Sequence, residues 1–582
     1  MEITPVSAVL VDVGFNPPNL NVLVPSVDNY KALLLQPHGN IDASGDGVRN
    51  RDRELAYKQY EKFLEDACQV GADLVVTPEY SMPWKSLSNA LKAGVVPAQG
   101  KLWAFGCESI KYSELEALRD ELSDFVRVIF EPLDSDNERF LSPLAYVFNA
   151  PSTDGNGEER TVVLVQFKTH PMGDPNHFEV NAMQRGTQIY QFGGGEERLK
   201  LVSLICADVF AFEDAHARAI YDRALILHIQ LNPEPRHVRF LGSRERLLGF
   251  NGDATEILCL NWAREIHSWN DGTEKLWHNI AGSVWYLKSK EYDDKDTTLC
   301  DNHRRGLYYT WLQPYRTHAL FFNFEPASYL LEMTKVAHIG VPGAASRRRG
   351  PQLVKTNVWD NTTTEWKEQS VVDDGFSHIA GESGNAKDDV ERIANANPFA
   401  AERVLALCAG KIGVGDTWHT VRKLDSFVID ASEVIRRITF CQDTDESACE
   451  FRVARLKRCG YLWDILTAGV CLPPALADFK DGFSLEWIDN SPHQNAISTN
   501  GQRATVIYMG EESNDSQVEA TAKRAAEYLH RGFADQNESR SAMQRIAIWY
   551  RKGNEIALYD HHRLVQIDQT GEASQFDIGR EQ

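Results

Sequence analysis

Short, continuous apolar runs alternate with stretches of helical period along the first two thirds of the chain. Runs such as 32–35 and 74–76 contain no polar side chain, which is typical of strands buried on both faces of a sheet. Helix-period stretches at 54–70 and 213–223 separate such runs. This alternation predicts a layered α/β domain over residues 29–355.

The remaining buried-strand runs of this domain lie at 103–106, 126–130, 144–148, 162–167, 201–205, 225–229, 257–260, 283–287 and 319–324. Ahead of the domain, residues 1–28 contain one short apolar run, Ser7–Val13, followed by the turn Pro17-Pro18. We interpret residues 1–28 as an N-terminal arm or an extra strand.

The pattern changes after Asp360, where polar and turn-forming residues dominate up to Asn397. We predict a linker over 356–398. Helical spacing returns between 399 and 475, and 504–567 has the pattern of a strand, a helix and a hairpin. The sequence therefore predicts a smaller α/β or α+β domain over 399–582, whose function its pattern does not indicate.

Composition narrows the class of protein. Among 582 residues, 61 are Lys or Arg and 83 are Asp or Glu, so the formal net charge is −22. Such a balance makes nucleic acid an unlikely partner, because phosphate backbones attract basic surfaces. The run Arg347-Arg348-Arg349 is a local exception, which we interpret as a solvated tail or a subunit contact.

No apolar run approaches the length of about 18 residues that a membrane span needs, and the N-terminus lacks a basic signal region. The ten cysteines include no Cys-x-x-Cys pair. We therefore predict reduced thiols, a cytoplasmic location and no membrane partner. Cys441, Cys449, Cys459 and Cys471 are too widely spaced for zinc pairs, so no metal is predicted.

Candidate chemistry begins with Glu79, which follows the apolar run 74–76 and Pro78, where we expect the strand to end. Carboxylates just past buried strands lie where α/β sheets build their sites. Partial burial there would raise the pKa of Glu79 and suit it to general base catalysis. A solvated acid in a turn is the alternative, and for this segment alone it is the more common arrangement.

Two other strand ends carry reactive side chains. Lys168 ends the run 162–167 and could stabilise an oxyanion, although a lysine reaching into water is the ordinary alternative. Cys206 ends the run 201–205 at a strand-to-helix junction, where the Ala207 N–H could face an oxyanion and the following helix could lower the thiol pKa. The alternative is a buried free cysteine. Occurring in this order and spacing, the three segments point jointly to nucleophilic catalysis.

Together these segments resemble the Glu-Lys-Cys constellation of the nitrilase (carbon–nitrogen hydrolase) superfamily. Supporting stretches include Gln36 after the first strand, Arg185-Gly186 ahead of the cysteine strand, and Asn261 at the end of a later one. The resemblance covers roughly residues 30–345, and we find none for the rest of the chain.

The resemblance implies a role for each site residue. Cys206 would be the nucleophile, Glu79 the base that also protonates the leaving amine, and Lys168 with the Ala207 N–H the oxyanion partners. Glu179 is the best candidate for the second glutamate that many members use. Tyr80, next to Glu79, is assigned to substrate or oxyanion contact.

The resemblance also implies a four-layer α-β-β-α sandwich, a homo-oligomer, a small-molecule amide, nitrile or carbamoyl substrate, and no cofactor. We expect hydrolysis of a non-peptide C–N bond through a cysteine acyl-enzyme. The alternative is a nitrilase-like oligomerising scaffold or effector subunit, possible in a multidomain bacterial defence system, with the C-terminal domain carrying the role. The presence of all three catalytic residue types favours the enzyme.

Overall fold

A computed structural model of the chain describes residues 1–24, 29–153, 158–173, 178–194, 199–235, 237–250, 254–270, 272–278, 282–289, 292, 295–335, 349–369, 379–411, 420–421, 448–487, 493–510 and 513–560. The chain divides into two compact units. Unit 1 comprises Met1–Val372 and Val421–Val434, and unit 2 comprises Asp373–Thr420 and Ile435–Gln582.

The strands of unit 1 are β1 (Glu2–Pro5), β2 (Asn29–Gln36), β3 (Gly39–Ser44), β4 (Gly47–Asn50), β5 (Leu74–Met82), β6 (Leu102–Cys107), β7 (Ile110–Lys111), β8 (Arg127–Phe130), β9 (Phe140–Leu141), β10 (Pro143–Pro151), β11 (Glu159–Phe167), β12 (Gln188–Gly193), β13 (Lys200–Ile205), β14 (Ala224–Ile229), β15 (Thr255–Leu260), β16 (Glu265–Asn270), β17 (Thr273–His278), β18 (Val284–Lys288), β19 (Leu307–Leu312), β20 (Thr317–Phe322), β21 (Ala327–Thr334), β22 (Gln352–Asp360) and β23 (Glu365–Glu368). Its helices are α1 (Val6–Asp12), α2 (Arg53–Val70), α3 (Trp84–Lys92), α4 (Tyr112–Glu121), α5 (Glu179–Ala182), α6 (Asp208–Ala211), α7 (Asp214–Ile220), α8 (Val238–Gly249) and α9 (Asp296–Arg304), with a 3₁₀ turn at Gln313–Tyr315.

Two large sheets organise unit 1. The first has the order β1-β12-β13-β14-β15-β18-β20-β19, and the second has the order β23-β22-β21-β2-β5-β6-β10-β11-β8. A smaller sheet has the order β17-β16-β3-β4, and β7 pairs with β9. The molecule is thus a mixed α/β protein, as predicted, while the four-layer stacking stays a prediction.

The direction of the strands places their carboxyl ends together. In the first sheet β13, β14 and β15 are parallel neighbours. In the second, β5 is parallel to β6, and β11 runs the same way because two antiparallel pairings separate it from β6. The two sheets also touch, since Gln166 Nε2 on β11 donates to the Ser203 carbonyl on β13 at 3.0 Å. The carboxyl-terminal part of β5 and the residues that follow β11 and β13 therefore meet at one place.

The core of the second sheet lies between its strands and helices α2–α4. Tyr60, Phe63 and Leu64 of α2 are fully buried in one cluster with Val75 and Trp103 of the sheet. Burial of each such side chain contributes about 1.5–3 kcal/mol. Asp52 caps the amino end of α2 by accepting from the Leu55 N–H, and a left-handed Gly71 caps its carboxyl end. This packing fixes the sheet on which two of the candidate residues lie.

Two short segments differ from the sequence prediction. Part of the run Ser7–Val13, expected as an arm or strand, forms α1, because Val6 and Leu10 are buried one helical turn apart. The extra strand is β1 instead, which pairs in parallel with β12. The prediction that Pro78 ends its strand is wrong, since β5 continues to Met82. Its ladder with β6 opens after Thr77 and resumes at Met82, since Pro78 has no N–H to donate.

The predicted linker begins too early. Residues 352–360 pair antiparallel with β21, and 365–368 form a hairpin with β22. Trp359 and Trp366 face each other across this hairpin with ring centroids 5.4 Å apart, a cross-strand pair that stabilises it despite its polar composition. The sheet thus extends through residue 368, while the other domain boundaries stay predictions.

Unit 2 contains helices α10 (Lys387–Ala396), α11 (Pro398–Cys408), α12 (Ala448–Ala468), α13 (Asp515–Gly532) and α14 (Gln536–Gln544), 3₁₀ turns at Ala380–Ala386 and Pro474–Asp481, and strands β25 (Phe483–Leu485), β26 (Ala496–Ser498), β27 (Arg503–Tyr508), β28 (Ile546–Lys552) and β29 (Glu555–Leu558). A two-residue strand, β24 (Thr420–Val421), lies between α11 and α12 in sequence.

The sheet of unit 2 has the order β25-β26-β27-β28-β29. Strands β27 and β28 are parallel, and β28 forms a hairpin with β29, which confirms the strand, the helix and the hairpin predicted for this part of the chain. Ile507 and Ile548 of the sheet pack against Val518 and Ala522 of α13. Among the helices that the structure describes, none is both long enough and apolar enough to cross a bilayer.

Candidate active site

The three strand ends singled out in the sequence converge in unit 1. Glu79 lies in the open segment of β5, Lys168 directly follows β11, and Cys206 directly follows β13. All three side chains are buried, with exposed fractions of 0–1%. Two of them come from the second sheet and one from the first, so the site is built between the sheets.

Lys168 is held between two carboxylates. Its Nζ donates to Glu79 Oε1 at 2.7 Å and to Glu179 Oε1 at 2.7 Å. An ammonium group has three N–H donors, so one remains for a further acceptor. The structure thus places the carboxylates of Glu79 and Glu179 on the same lysine.

Glu79 accepts hydrogen bonds on both carboxylate oxygens. Besides Lys168, its Oε1 accepts from the Ser142 hydroxyl at 3.2 Å, and its Oε2 accepts from the Leu231 N–H at 3.0 Å. Trp262 Nε1 donates to the Glu79 carbonyl at 2.8 Å. Sequence reasoning missed Ser142, Leu231 and Trp262, which lie 63 to 183 positions from Glu79 and carry no local signal.

Glu179 opens the short helix α5 and is equally enclosed. Its Oε1 also accepts from the Tyr80 hydroxyl at 2.8 Å, and its Oε2 accepts from the Met172 N–H at 2.5 Å. The single hydroxyl proton of Tyr80 is therefore committed to Glu179. This geometry favours a positioning role for Tyr80 over the predicted contact with substrate or oxyanion.

The backbone is unusual at the same positions. Seven described non-glycine residues have a positive φ, and three of them are Tyr80 (58°), Phe178 (57°) and Cys206 (43°). They are the neighbour of Glu79, the neighbour of Glu179 and the nucleophile candidate itself. Left-handed backbone costs about 1–3 kcal/mol at such residues and concentrates at functional sites. We read the strain as the consequence of aiming these side chains into one place.

The backbone of β6 at Gly106 packs closely against the segment of β5 that carries Glu79. A Cβ on Gly106 of β6 would lie 2.1 Å from the Pro78 carbonyl oxygen and 2.7 Å from the Glu79 Cα. A side chain at position 106 would therefore displace Glu79, and glycine is needed there for space, not for turn geometry.

Cys206 forms a sharp elbow between β13 and α6. Its N–H donates to the Ile229 carbonyl at 2.8 Å, and His228 Nε2 lies 2.9 Å from the Cys206 carbonyl oxygen. Burial lowers the pKa of His228 to about 3, so the ring is neutral. Nδ1 faces the Gln230 amide at 3.3 Å, which is consistent with Nε2–H donating to Cys206.

Asp208 joins the cysteine elbow to the lysine strand end. Its Oδ2 accepts from the Ile205 N–H at 3.0 Å, and its Oδ1 accepts from the N–H groups of Thr169 at 2.8 Å and His170 at 3.0 Å. Ala207, between Cys206 and Asp208, is fully buried. The segments after β11 and β13 are therefore tied together next to the candidate residues.

The electrostatics of the cluster favour one protonation pattern. Burial raises the pKa of Glu79 to about 7, against the lowering effect of the Lys168 charge. Burial alone would lower the pKa of Lys168, but the charges of Glu179 and Glu79 raise it above its ordinary value. Lys168 is therefore charged at neutral pH, and the raised pKa of Glu79 has the direction expected from its burial.

The pKa of the Cys206 thiol differs from the prediction. Burial raises the pKa of Cys206 well above its ordinary value, and the Glu79 and Glu179 charges add to this, with Lys168 opposing them. The expected lowering by the following helix is wrong, because α6 has only four residues and the thiol is inaccessible to water. Because the charges of Glu79, Glu179 and Lys168 all act on this thiol, Cys206 belongs to the same buried cluster.

Within the part of the chain that the structure describes, no three His, Cys, Asp or Glu side chains are grouped to hold a metal ion. The eight cysteines described there are free thiols. The chemistry available to the cluster is that of a thiol, a carboxylate and an ammonium.

Comparisons with known proteins add structural neighbours. No protein-family model and no curated protein matches the chain. An amidase from Nesterenkonia sp. is 16% identical with a TM-score of 0.27, covering 44% of this chain and 82% of the amidase. The glutamine-dependent NAD⁺ synthetase from Acinetobacter baumannii is 16% identical with a TM-score of 0.29, covering 71% of this chain and 64% of the synthetase.

A variant of the Nesterenkonia amidase, with an acetamide moiety covalently added to its active-site cysteine, is 13% identical with a TM-score of 0.30. That comparison covers 53% of this chain and 93% of the amidase. The chain is similar to amidases of the nitrilase superfamily. At such identities and TM-scores the neighbours assign no roles to residues of this chain, and the roles below are argued from its own geometry.

Proposed function

We propose that the chain is a carbon–nitrogen hydrolase of the nitrilase superfamily that forms an acyl-enzyme on Cys206. One observation carries the proposal, namely the buried cluster in which Lys168 bonds Glu79 and Glu179 beside the buried thiol of Cys206. A purely structural ion pair would not need a cysteine with strained, left-handed backbone beside it. The substrate is a small amide, nitrile or carbamoyl compound, and no cofactor takes part.

The resting thiol is protonated, so activation accompanies attack. Glu79 takes the proton as the Cys206 sulfur bonds the carbonyl carbon, and the carbonyl electrons move onto oxygen. The free N–H of Lys168 and the Ala207 N–H stabilise that oxyanion. Glu79 then protonates the leaving nitrogen, and a thioester remains on Cys206.

Hydrolysis of the thioester reverses these roles. Glu79 takes a proton from water, the hydroxide adds to the acyl carbon, and the carboxylic acid leaves as the Cys206 sulfur regains its proton. Lys168 and Ala207 serve the second oxyanion as they serve the first. Tyr80 bonds Glu179 and Ser142 bonds Glu79, so these hydroxyls hold the two carboxylates that flank Lys168 in register.

The proposal is tested by incubating the full chain with a panel of small amides, nitriles and carbamoyl compounds and measuring ammonia release. We expect release with at least one class, together with the matching acid. Absence of release and of any covalent adduct across the panel would contradict the proposal and favour the oligomerising scaffold.

The pH profile should show the titration of Glu79. Burial raises the pKa of the Glu79 carboxyl to about 7, and the carboxyl must be ionised to act as a base. We therefore expect kcat/KM to fall about tenfold per pH unit below pH 7. The measurement is kcat/KM between pH 5 and 9 with the best substrate of the panel. A profile that stays flat down to pH 5 would contradict the assignment of Glu79 as base.

A further inference from the structure

Unit 2 contains a cavity of about 580 Å³ at the carboxyl end of β27. Met509 follows this strand and lines the cavity, and α13 begins shortly afterwards, before the parallel strand β28. The carboxyl end of a strand that leads through a helix to a parallel neighbour is where α/β sheets bind ligands. The volume lies in the range of small-molecule sites.

Three cations line this cavity, and each comes from a different element. Lys411 follows α11, Arg458 lies on α12, and Arg524 lies on α13. Among the residues that the structure describes, no carboxylate pairs with any of them. Lys457 and Lys523, their sequence neighbours, do form ion pairs, with Glu382 at 3.6 Å and Glu519 at 2.7 Å.

The position of Arg458 is set by the backbone. A Cβ on Gly510 would lie 3.3 Å from Arg458 Nε and 3.4 Å from Nη2, so the guanidinium packs on the chain just past β27. Gly510 has a φ of 84°, a conformation that L side chains rarely adopt. Glycine at this position thus permits both the turn and the close approach of the guanidinium.

Neutral polar side chains complete the described lining. Ser513, Ser516 and Gln517 lie at the amino end of α13. Ser513 Oγ donates to the Met509 carbonyl at 3.0 Å and Ser516 Oγ to Asn514 Oδ1 at 2.6 Å, so the cations are the main donors left for a ligand. The described lining contains no Asp or Glu, although the whole chain carries a net charge of −22. The three cations therefore favour an anion with several oxygens.

We propose that this cavity binds the phosphate group of a small phosphorylated molecule, such as a nucleotide. Guanidinium groups match phosphate oxygens with paired N–H donors, and a lysine adds a point charge. A bare phosphate ion would leave most of the cavity empty, so the ligand carries a further organic part. This site is independent of the hydrolase proposed for unit 1.

Isothermal titration of the full-length protein with pyrophosphate, AMP and ATP at constant ionic strength tests the proposal. We expect saturable one-site binding of at least one of them. Arg458→Gln and Arg524→Gln should each weaken it about ten- to a hundredfold, as loss of a charge-assisted hydrogen bond does. Lys523→Gln, on the same helix but outside the cavity, is the matched control and should leave affinity nearly unchanged.

The relative affinities for pyrophosphate and the nucleotides show whether the site recognises the phosphate alone or also the organic part of the ligand. Tighter binding of the nucleotides than of pyrophosphate supports the proposal, because the site then also recognises the organic part. Equal binding would overturn the organic part and leave only a phosphate site. No binding at millimolar concentration would overturn the proposal. Equal weakening by Lys523→Gln, or binding of only a single-stranded oligonucleotide, would also overturn it, because both indicate a diffuse polyanion surface. Ammonia release by unit 1 is measured separately, so failure of either proposal is recognisable by itself.

Discussion

Cys206→Ala is expected to abolish hydrolysis and the acyl-enzyme together. No other group of the cluster can form the thioester, since Glu79 and Glu179 are occupied by hydrogen bonds and Lys168 is charged. The variant should fold, because removing one small buried sulfur costs little packing relative to the stability of a large core. Intact-protein mass spectrometry with a slow substrate should show an added acyl mass on wild type and none on the variant.

Cys107→Ala is the matched control for this experiment. Cys107 is also a fully buried free thiol of unit 1, and burial raises its pKa as well. Its sulfur donates to the Phe105 carbonyl at 3.4 Å and to no carboxylate. We expect this variant to keep both the adduct and the turnover. Turnover by Cys206→Ala, or an adduct mapped to another cysteine, would end the nitrilase-type interpretation.

Glu79→Gln is expected to lower kcat by about 100- to 10,000-fold, the range typical of a lost general base. The amide cannot accept the Cys206 proton or activate water. The NH₂ group of the amide would also face a hydrogen-bond donor. All described partners of the Glu79 carboxylate oxygens donate, namely Lys168, Ser142 and the Leu231 N–H. The measurement is single-turnover kinetics, in which acylation and deacylation should both slow.

Glu131→Gln serves as the control for a buried carboxylate that lies elsewhere in unit 1. Glu131 is 5% exposed and accepts from the Thr187 N–H at 2.9 Å. A purely structural loss would lower the melting temperatures of both variants without changing the fall in kcat/KM below pH 7. We expect this fall to disappear with Glu79→Gln only. If Glu79→Gln kept it, the titration would belong to another group.

Strand ends were the predictable part of the site. Burial on both faces leaves an apolar run, and a polar residue directly after it is visible without any structure, as at Lys168 and Cys206. Glu79 was visible for the same reason, although Pro78 suggested a strand end that the structure replaces by an open ladder. The strand order and the pairing of the two sheets were not predictable, since they depend on contacts between distant segments.

The groups that support the site could not be predicted for a physical reason. Leu231 contributes a backbone N–H to Glu79, and a backbone donor is identical in every non-proline residue. Ser142 and His228 are ordinary polar residues beside apolar strands until the fold brings them to the site. The pKa of Cys206 was mispredicted because burial, which outweighs a four-residue helix, is a property of the assembled sheets.

The site takes its residues from two sheets, so enzymatic activity depends on the two sheets being assembled. A chain break between β11 and β12 would leave Glu79 and Lys168 on one fragment and Cys206 on the other. Neither fragment alone could hold a thiol against its base, and complementation of the two would restore both at once. Enzymatic activity would then measure reassociation of the halves directly, without a fused label, because no partly docked form contains the complete set of reacting groups.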